Sequence, residues 1–402
     1  MLTILMGLYF IYAFIKIVLN LLEIQNIKKT RVQKAIILGE VNYQKAADYK
    51  LANEKFAIFS GLYDFILFLL WALFGFGALQ DALISDGGIL DSILFVLIFI
   101  AINYILGLPF DIYNTFIKDK KFGFSTIDVK TYVLDQIKGG VLFLVFGSLV
   151  VGLISWIVLN LPLWWIWGFG VIMVLMVVIN LIYPTFIAPL FNKFKPLEDE
   201  DLKEAIGSLL AKAGLNSDGV FSIDASKRDK RLNAFFGGLG KSKRVVLYDT
   251  LLQKVGKNEL LAVLGHELGH FKHKDIIKKI ALMGLMLFLM FGVFGNLPLG
   301  VYGALGLKPS AYGAIVIFML LSPVLFFALT PIMGYASRHD EYAADEYGSE
   351  CQSKEDLANA LIKLADENKS YPHSHPLNVI FYHTHPPLIQ RLEALGVDFS
   401  DS

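Results

Sequence analysis

The chain contains a single cysteine, Cys351, in 402 residues. An internal disulfide needs two, and a thiolate zinc cluster needs two or more, so neither is available. Charge is scarce as well. Asp, Glu, Lys and Arg make up 18% of the chain, against about 25% in an ordinary soluble protein. There is no excess of either sign, with 36 basic and 36 acidic side chains. No basic face is advertised, and no nucleic-acid partner is expected. The polar, glycine-periodic or heptad compositions of disordered chains, collagen and coiled coils are absent too. What fills the space is apolar, 55% of residues, with a mean hydropathy of +0.56. Such a composition asks for a membrane first.

A bilayer core of about 30 Å takes roughly 20 apolar residues in a helix. About seven runs of that length are present, near 2–20, 57–79, 91–109, 140–160, 163–183, 280–299 and 312–333. No small-x-small cleavage site follows Asn20, so the first run reads as a retained anchor. Lys16, Asp64 and Asp91 are the charges inside or at the edge of these runs, with Asn103 and Asn180 as isolated polar residues. Unpaired polar groups are costly in lipid, so these are expected to face protein or a wet cavity.

The loops are asymmetric. Lys28, Lys29, Arg31, Lys34, Lys45, Lys50 and Lys55 lie between runs one and two, and Lys118, Lys120, Lys121, Lys130 and Lys138 between runs three and four. Loops on the other side hold almost none, Lys308 excepted. Cytoplasmic loops carry the Lys and Arg excess, which predicts an outside N-terminus and cytoplasmic segments 184–279 and 334–402.

A polytopic, mainly α protein is therefore expected, in four pieces. Residues 1–183 form an N-terminal membrane region, 184–279 the first part of a soluble α+β domain, 280–333 a membrane hairpin, and 334–402 the rest of that domain. Within 184–279 the pattern predicts a helix near 199–214, then strands Val220–Ile223, Leu232–Phe236 and Arg244–Leu247, and helix from Asp249 onward. Helices near 337–349, 354–367 and Pro387–Leu395 follow, with a Pro/His loop before the last.

All eight histidines lie from residue 266 onward: His266, His270, His273, His339, His373, His375, His383 and His385. The central signal is His266-Glu267-Leu268-Gly269-His270. Two His at i and i+4 share a helix face, so both imidazoles can bind one Zn²⁺. Glu267 can then serve as general base for a water acidified by the metal. The chemistry needs a third ligand, and Glu341-Tyr342-Ala343-Ala344-Asp345 supplies one. Glu341 can complete a His₂Glu set, and Asp345 can accept a hydrogen bond from a ligating imidazole. The alternative is that both belong to a solvated face with Arg338, Asp340 and Glu346. Ala343 and Ala344 would let the two helices pack closely, with the zinc near the membrane face and runs six and seven walling it.

Asn233, Ala234 and the following Phe235-Phe236-Gly237 read as an edge strand, able to pair with an extended peptide. Late in the chain, either His383 or His385, placed before a Pro-started helix, could donate to the oxyanion of a tetrahedral intermediate, with Arg391 in support. His273, His339, His373 and His375 read as surface or structural.

These motifs resemble the type I CAAX prenyl protease family of integral-membrane zinc metalloproteases. The resemblance runs through Ala188-Pro189-Leu190-Phe191-Asn192-Lys193-Phe194, Asn233-Ala234-Phe235-Phe236, Val246-Leu247-Tyr248-Asp249-Thr250-Leu251, the His266–His270 motif, Glu341–Asp345 and His385-Pro386. It implies seven transmembrane helices around a water-filled chamber. It also implies one zinc held by His266, His270 and Glu341, with Glu267 as base. Asn233 would contact the substrate backbone, His385 would stabilise the transition state, and Asp345 would support a ligand.

The family acts on the last three residues of prenylated CaaX proteins, so prenylated or membrane-associated peptides are the implied substrates. A monomer in contact with membrane lipid is expected. Compact loops and no retention signal in 397–402 favour a prokaryotic inner membrane. Two alternatives stand beside this reading: a transporter or channel, suggested by the many spans, and an intramembrane-cleaving protease. The second places its motif inside an apolar run, whereas Lys254, Lys257, Glu259, Lys272, Lys274 and Asp275 flank this one.

Overall fold

In a computed structural model of the protein, residues 1–237 and 242–398 are described. Of the 397–402 terminus, residues 399–402 lie outside the described residues. Seven helices are long and apolar enough to cross a bilayer: Leu2–Thr30, Glu40–Leu83, Ile89–Lys121, Val129–Asn160, Trp164–Phe191, Asp275–Gly295 and Ala311–Cys351. Each coincides with one apolar run, and most overshoot it.

The overshoot has local causes. The second helix starts at Glu40, well before residue 57, because its polar first half carries a buried stripe. Tyr43, Ala46, Ala47 and Leu51 pack there against Ile24, Ile27 and Tyr371. The third helix continues through Pro109 into a π-helical stretch, Tyr113–Lys118, before ending at Lys121. Deeper in the membrane region, Tyr9, Phe68, Trp71, Phe76, Phe95, Phe99 and Tyr312 form one core shared by helices one, two, three and seven.

The isolated polar residues divide. Asn103 accepts from Trp71 Nε1 at 3.1 Å. Lys16 and Asp64 line a cavity of about 550 Å³. Asp91, in the first turn of its helix, ties down the preceding loop, accepting from the backbone N–H groups of Ser85, Asp86 and Gly87. Asn180 departs from the expectation: it is exposed, and its amide donates to Met176 O of its own helix at 2.8 Å.

The soluble part is built on a four-stranded sheet in the order β1 (Phe194–Pro196), β2 (Asn216–Ile223), β4 (Ser242–Tyr248), β3 (Ala234–Gly237). Strands β2 and β4 run parallel, while β1 and β3 flank them antiparallel. Strand β3 is thus an edge. Strand β1 escaped the sequence reading because three residues ending in proline carry no period. Helix Glu200–Lys212, capped by Asp199, packs Ile206 and Leu210 into a core with Val245, Leu247, Leu260, Leu264 and Leu268.

The largest departure lies at 333/334, where membrane hairpin and soluble domain were expected to separate. Helix Ala311–Cys351 passes through without a break, taking Pro323 and Pro331 within it. Its C-terminal half stays helical because Ser337, Glu341, Ala344, Asp345 and Gly348 form a buried stripe at i, i+3/i+4 spacing. A short helix, Pro376–Tyr382, also forms inside the expected Pro/His loop, opened by Pro376 in its first turn and capped by His375.

Candidate metal centre

His266 and His270 lie one turn apart on helix Lys257–Lys272. That helix begins where Gly256 donates its N–H to Glu259 Oε2 at 2.8 Å. One of its faces sends Leu260, Leu264 and Leu268 into the core beneath the sheet. The opposite face meets Ala311–Cys351 at backbone contact distance. A Cβ built on Gly265 would come 2.9 Å from Cys351 Cβ, and one on Gly269 2.8 Å from Ala344 Cα. Of the two alanines expected to permit this approach, Ala344 lies in the seam, fully buried, and Ala343 at its margin.

The crossing brings three donor groups together. Ligand atoms of His266, His270 and Glu341 all lie within 4.8 Å of one another. Glu341 Oε2 is 3.5 Å from His266 Nε2, and Glu341 Oε1 is 3.4 Å from His270 Nε2. These separations are too long for good hydrogen bonds. They suit a shared ion instead, since two donors at about 2.1 Å in tetrahedral geometry stand about 3.4 Å apart. The electrostatics agree. Glu341 is 1% exposed, and its Oε2 is buried with no hydrogen-bond partner among the described residues. Arg391 Nη1 stands off at 3.5 Å, beyond good hydrogen-bond range, and a carboxylate buried this deeply is costly without closer compensation. A His₂Glu donor set with an orphaned, buried oxygen fits a divalent metal.

Each imidazole is held from behind. His266 Nδ1 lies 2.8 Å from Asp345 Oδ1, and His270 Nδ1 lies 3.0 Å from Asp275 Oδ2. Such contacts leave both Nε2 atoms free to ligate. The supporting carboxylates have cations of their own. Arg391 grips Asp345 with Nε at 2.8 Å and Nη2 at 2.6 Å, a bidentate fork. Lys278 Nζ meets Asp275 Oδ1 at 2.9 Å. Burial alone would lower the pKa of His270, but the carboxylates of Glu341 and Asp275 outweigh it and raise it. Glu267 is half-buried on the same helix, close enough for its charge to be felt at His270 and Arg391.

The two late histidines separate in space. His385 Nε2 stands 3.4 Å from Glu341 Oε1, while Thr384 Oγ1 and His385 Nδ1 are 3.0 Å apart. The 60% exposure of the His385 side chain is toward a cavity of about 620 Å³ that it lines with Lys279, Leu282 and Met333. Surrounding protein still lowers its pKa, against the pull of Glu341. His383 instead lines the cavity of Lys16 and Asp64, and its backbone carbonyl accepts from Arg338 at 2.7 Å. Asn233 lies just outside β3, exposed, with its Oδ1 accepting from Ala234 N at 2.8 Å. Ala234 pairs with Leu247 of β4, so the other edge of the strand is turned away from the sheet.

Sequence reasoning overlooked Asp275 as a partner of His270, counting it only among the flanking charges. The available signal was a carboxylate just past the turn at Lys274, whose φ of 58° swings the next helix back over the motif. The roles of Gly265 and Gly348 in the seam were equally invisible, because they depend on a partner distant in sequence. Among the other histidines, His375 caps a helix, with its backbone N–H donated to Glu23 at 2.7 Å. His373 packs edge-on to Tyr43.

Comparison with known proteins agrees with this geometry. Residues 23–193 match the family described as CAAX prenyl protease N-terminal, five membrane helices, and residues 196–397 match peptidase family M48. CAAX prenyl protease 1 of Saccharomyces cerevisiae is 32% identical over 393 residues, covering 89% of this chain and 86% of that protein. The Homo sapiens homolog is 31% identical, covering 89% and 87%. The crystal structure of S. mikatae Ste24p superposes with a TM-score of 0.91 at 30% identity, over 98% of this chain and 99% of that one. Nothing in these likenesses supports a transporter, and the motif helix is not one of the seven candidate spans. The chain belongs to peptidase family M48, with the five-helix N-terminal region of the CAAX prenyl proteases, and is a multi-pass membrane metalloendopeptidase.

Proposed function

We propose that the metal is a single Zn²⁺ held by His266, His270 and Glu341, and that the substrates are membrane-associated peptides of the C-terminal prenylated CaaX type. The donor set carries the reading of the metal: two imidazoles and one carboxylate, no thiolate, at tetrahedral spacing. When bound, zinc supplies a Lewis acid that acidifies water and polarises a carbonyl. Glu267 takes a proton from the attacking water and passes it to the departing amine. His385, kept neutral by its surroundings, donates Nε2–H to the oxygen of the scissile carbonyl as charge develops there. Asn233 and Ala234 hold the substrate backbone along the free edge of β3. Arg391 and Asp345 position His266 rather than touch substrate.

The substrate class rests on the relatives, which are CAAX prenyl proteases from yeast to human. One chain supplies every group, so a monomer suffices. The basic loops support a site on the cytoplasmic side, which in a prokaryotic host is the inner face of the inner membrane. The four sequence pieces then act as two units, a membrane shell and a metalloprotease domain split by a hairpin.

Metal analysis of purified wild type and Glu267→Gln, paired with a peptide-cleavage assay, tests the reading. One zinc per chain in both proteins is expected, with cleavage lost by about 10²-fold or more in the variant. Undiminished cleavage by the variant, or zinc-free active protein, would overturn it.

A further inference from the structure

A cavity of about 910 Å³ opens away from the metal centre, between helices Glu40–Leu83 and Ile89–Lys121 near the end of Leu2–Thr30. It is amphipathic along its length. At one end Arg31, Lys55, Lys118 and Lys121 face a single lining carboxylate, Asp48. Arg31 is occupied by Asp48 at 3.0 Å, and Lys118 by Asn53 Oδ1 at 2.6 Å. Lys55 and Lys121 are exposed and have no carboxylate partner among the described residues. At the other end the wall is aromatic. Phe56 stacks on Tyr113, centroids 5.5 Å apart at 13°, and Phe59 on Phe110 at 5.6 Å and 27°. Tyr63 OH donates to Leu106 O at 3.0 Å and closes the helix pair beyond.

The two ends match the profile of a bilayer edge. Lys55 precedes the second apolar run and Lys121 follows the third, so both stand at the same membrane face, at headgroup height. Phe59 and Ile117, 62% and 56% exposed, lie further in, where acyl chains begin. The cleft also has a backbone cause. Pro109 and the π-helical stretch Tyr113–Lys118 break the regular ladder of the third helix where it would otherwise pack along the second, and such stretches recur at functional sites.

We propose that this cleft is a binding site for an anionic phospholipid. The phosphate sits between Lys55 and Lys121, and the acyl chains run along Phe59, Tyr113 and Ile117. Two cations without carboxylate partners, beside a stacked aromatic wall, complement a negative head on an apolar tail. A zwitterionic lipid would bring a positive group back to the same place. The site is separate from the metal centre, and its occupant is a lipid that stays rather than a substrate that turns over.

Delipidated full-length protein in detergent, titrated with phosphatidylglycerol or phosphatidylcholine and followed by native mass spectrometry and thermal shift, tests this. Phosphatidylglycerol should be retained selectively. Lys55→Gln with Lys121→Gln should weaken it about thirty-fold, roughly five-fold for each lysine, with peptide cleavage in detergent unchanged. Lys28→Gln with Lys29→Gln, a matched pair on the same side, should leave retention unaltered. Equal loss in that control pair would mean a diffuse surface attraction, and equal retention of both lipids would mean no headgroup site. Glycerol 3-phosphate reproducing the stabilisation would mean a free phosphate site. Farnesol displacing the lipid while the two lipids bind alike would mean an isoprenoid groove. Each of these four results would overturn the proposal.

Discussion

Gly348 backs directly onto the first histidine of the metal set: a Cβ built there would stand 2.8 Å from the backbone nitrogen of His266 and 3.0 Å from its Cα. The ligand helices are therefore spaced by the absence of a side chain.

Gly348→Ala should push His266 away from Glu341, costing about 1–3 kcal/mol of stability through overpacking. Zinc content and peptide cleavage should fall together. Gly7→Ala, where nothing lies within 4 Å, provides the comparison and should leave all three measurements alone. Wild-type zinc content in the Gly348 variant would show that the seam has slack.

Asp275 touches no substrate in this reading but orients His270 at 3.0 Å. Asp275→Asn should weaken zinc binding by about 10–100-fold, read by competition with a chromogenic chelator. Saturating zinc should restore much of the activity, because the ligands themselves are intact.

His385 and His383, equivalent by spacing, should separate by kinetics. His385→Ala is expected to lower kcat by about 10²–10³-fold with zinc stoichiometry unchanged. His383→Ala should retain kcat, since of the two only His385 stands 3.4 Å from Glu341. The reverse pattern would reassign the oxyanion donor.

His383 gives a pH signature of its own. Burial, helped by the positive charges of Lys50 and Arg338, pushes its pKa down to about 4, below the ordinary value of about 6.5. Between these values the unfolded chain binds the extra proton and the folded chain does not, so stability falls as pH drops from about 6.5 toward 4. His383→Asn should flatten that part of the stability profile, by at most one proton's worth of slope. An unchanged slope in denaturant titrations across this window would refute the assignment.

Much of the architecture was legible because the membrane imposes a simple rule. Seven apolar runs marked seven helices, and the spacing of His266 and His270 needed only a helix to bring two imidazoles to one face. Glu341 and Asp345 were readable for the same reason, as a pair at i and i+4. What escaped depended on tertiary neighbours. Asp275 becomes a partner of His270 only through the left-handed turn at Lys274. Gly265 and Gly348 look like helix weaknesses until the crossing helix is present. The end of the seventh run at 333 marked where apolarity stops, not where the helix stops, because a buried stripe takes over from lipid as the reason to stay helical.

That last point makes Ala311–Cys351 a lever. Its 41 residues measure about 60 Å, twice the apolar thickness of a bilayer, with one arm in lipid and the other bearing Glu341 and Asp345. Pro331 lies about 15 Å along the axis before Glu341, so a tilt of about 5° there displaces that carboxylate by about 1 Å. A third of the proposed ligand set is thus anchored to the depth and inclination of a membrane helix, whereas both histidines ride on a helix packed against the sheet.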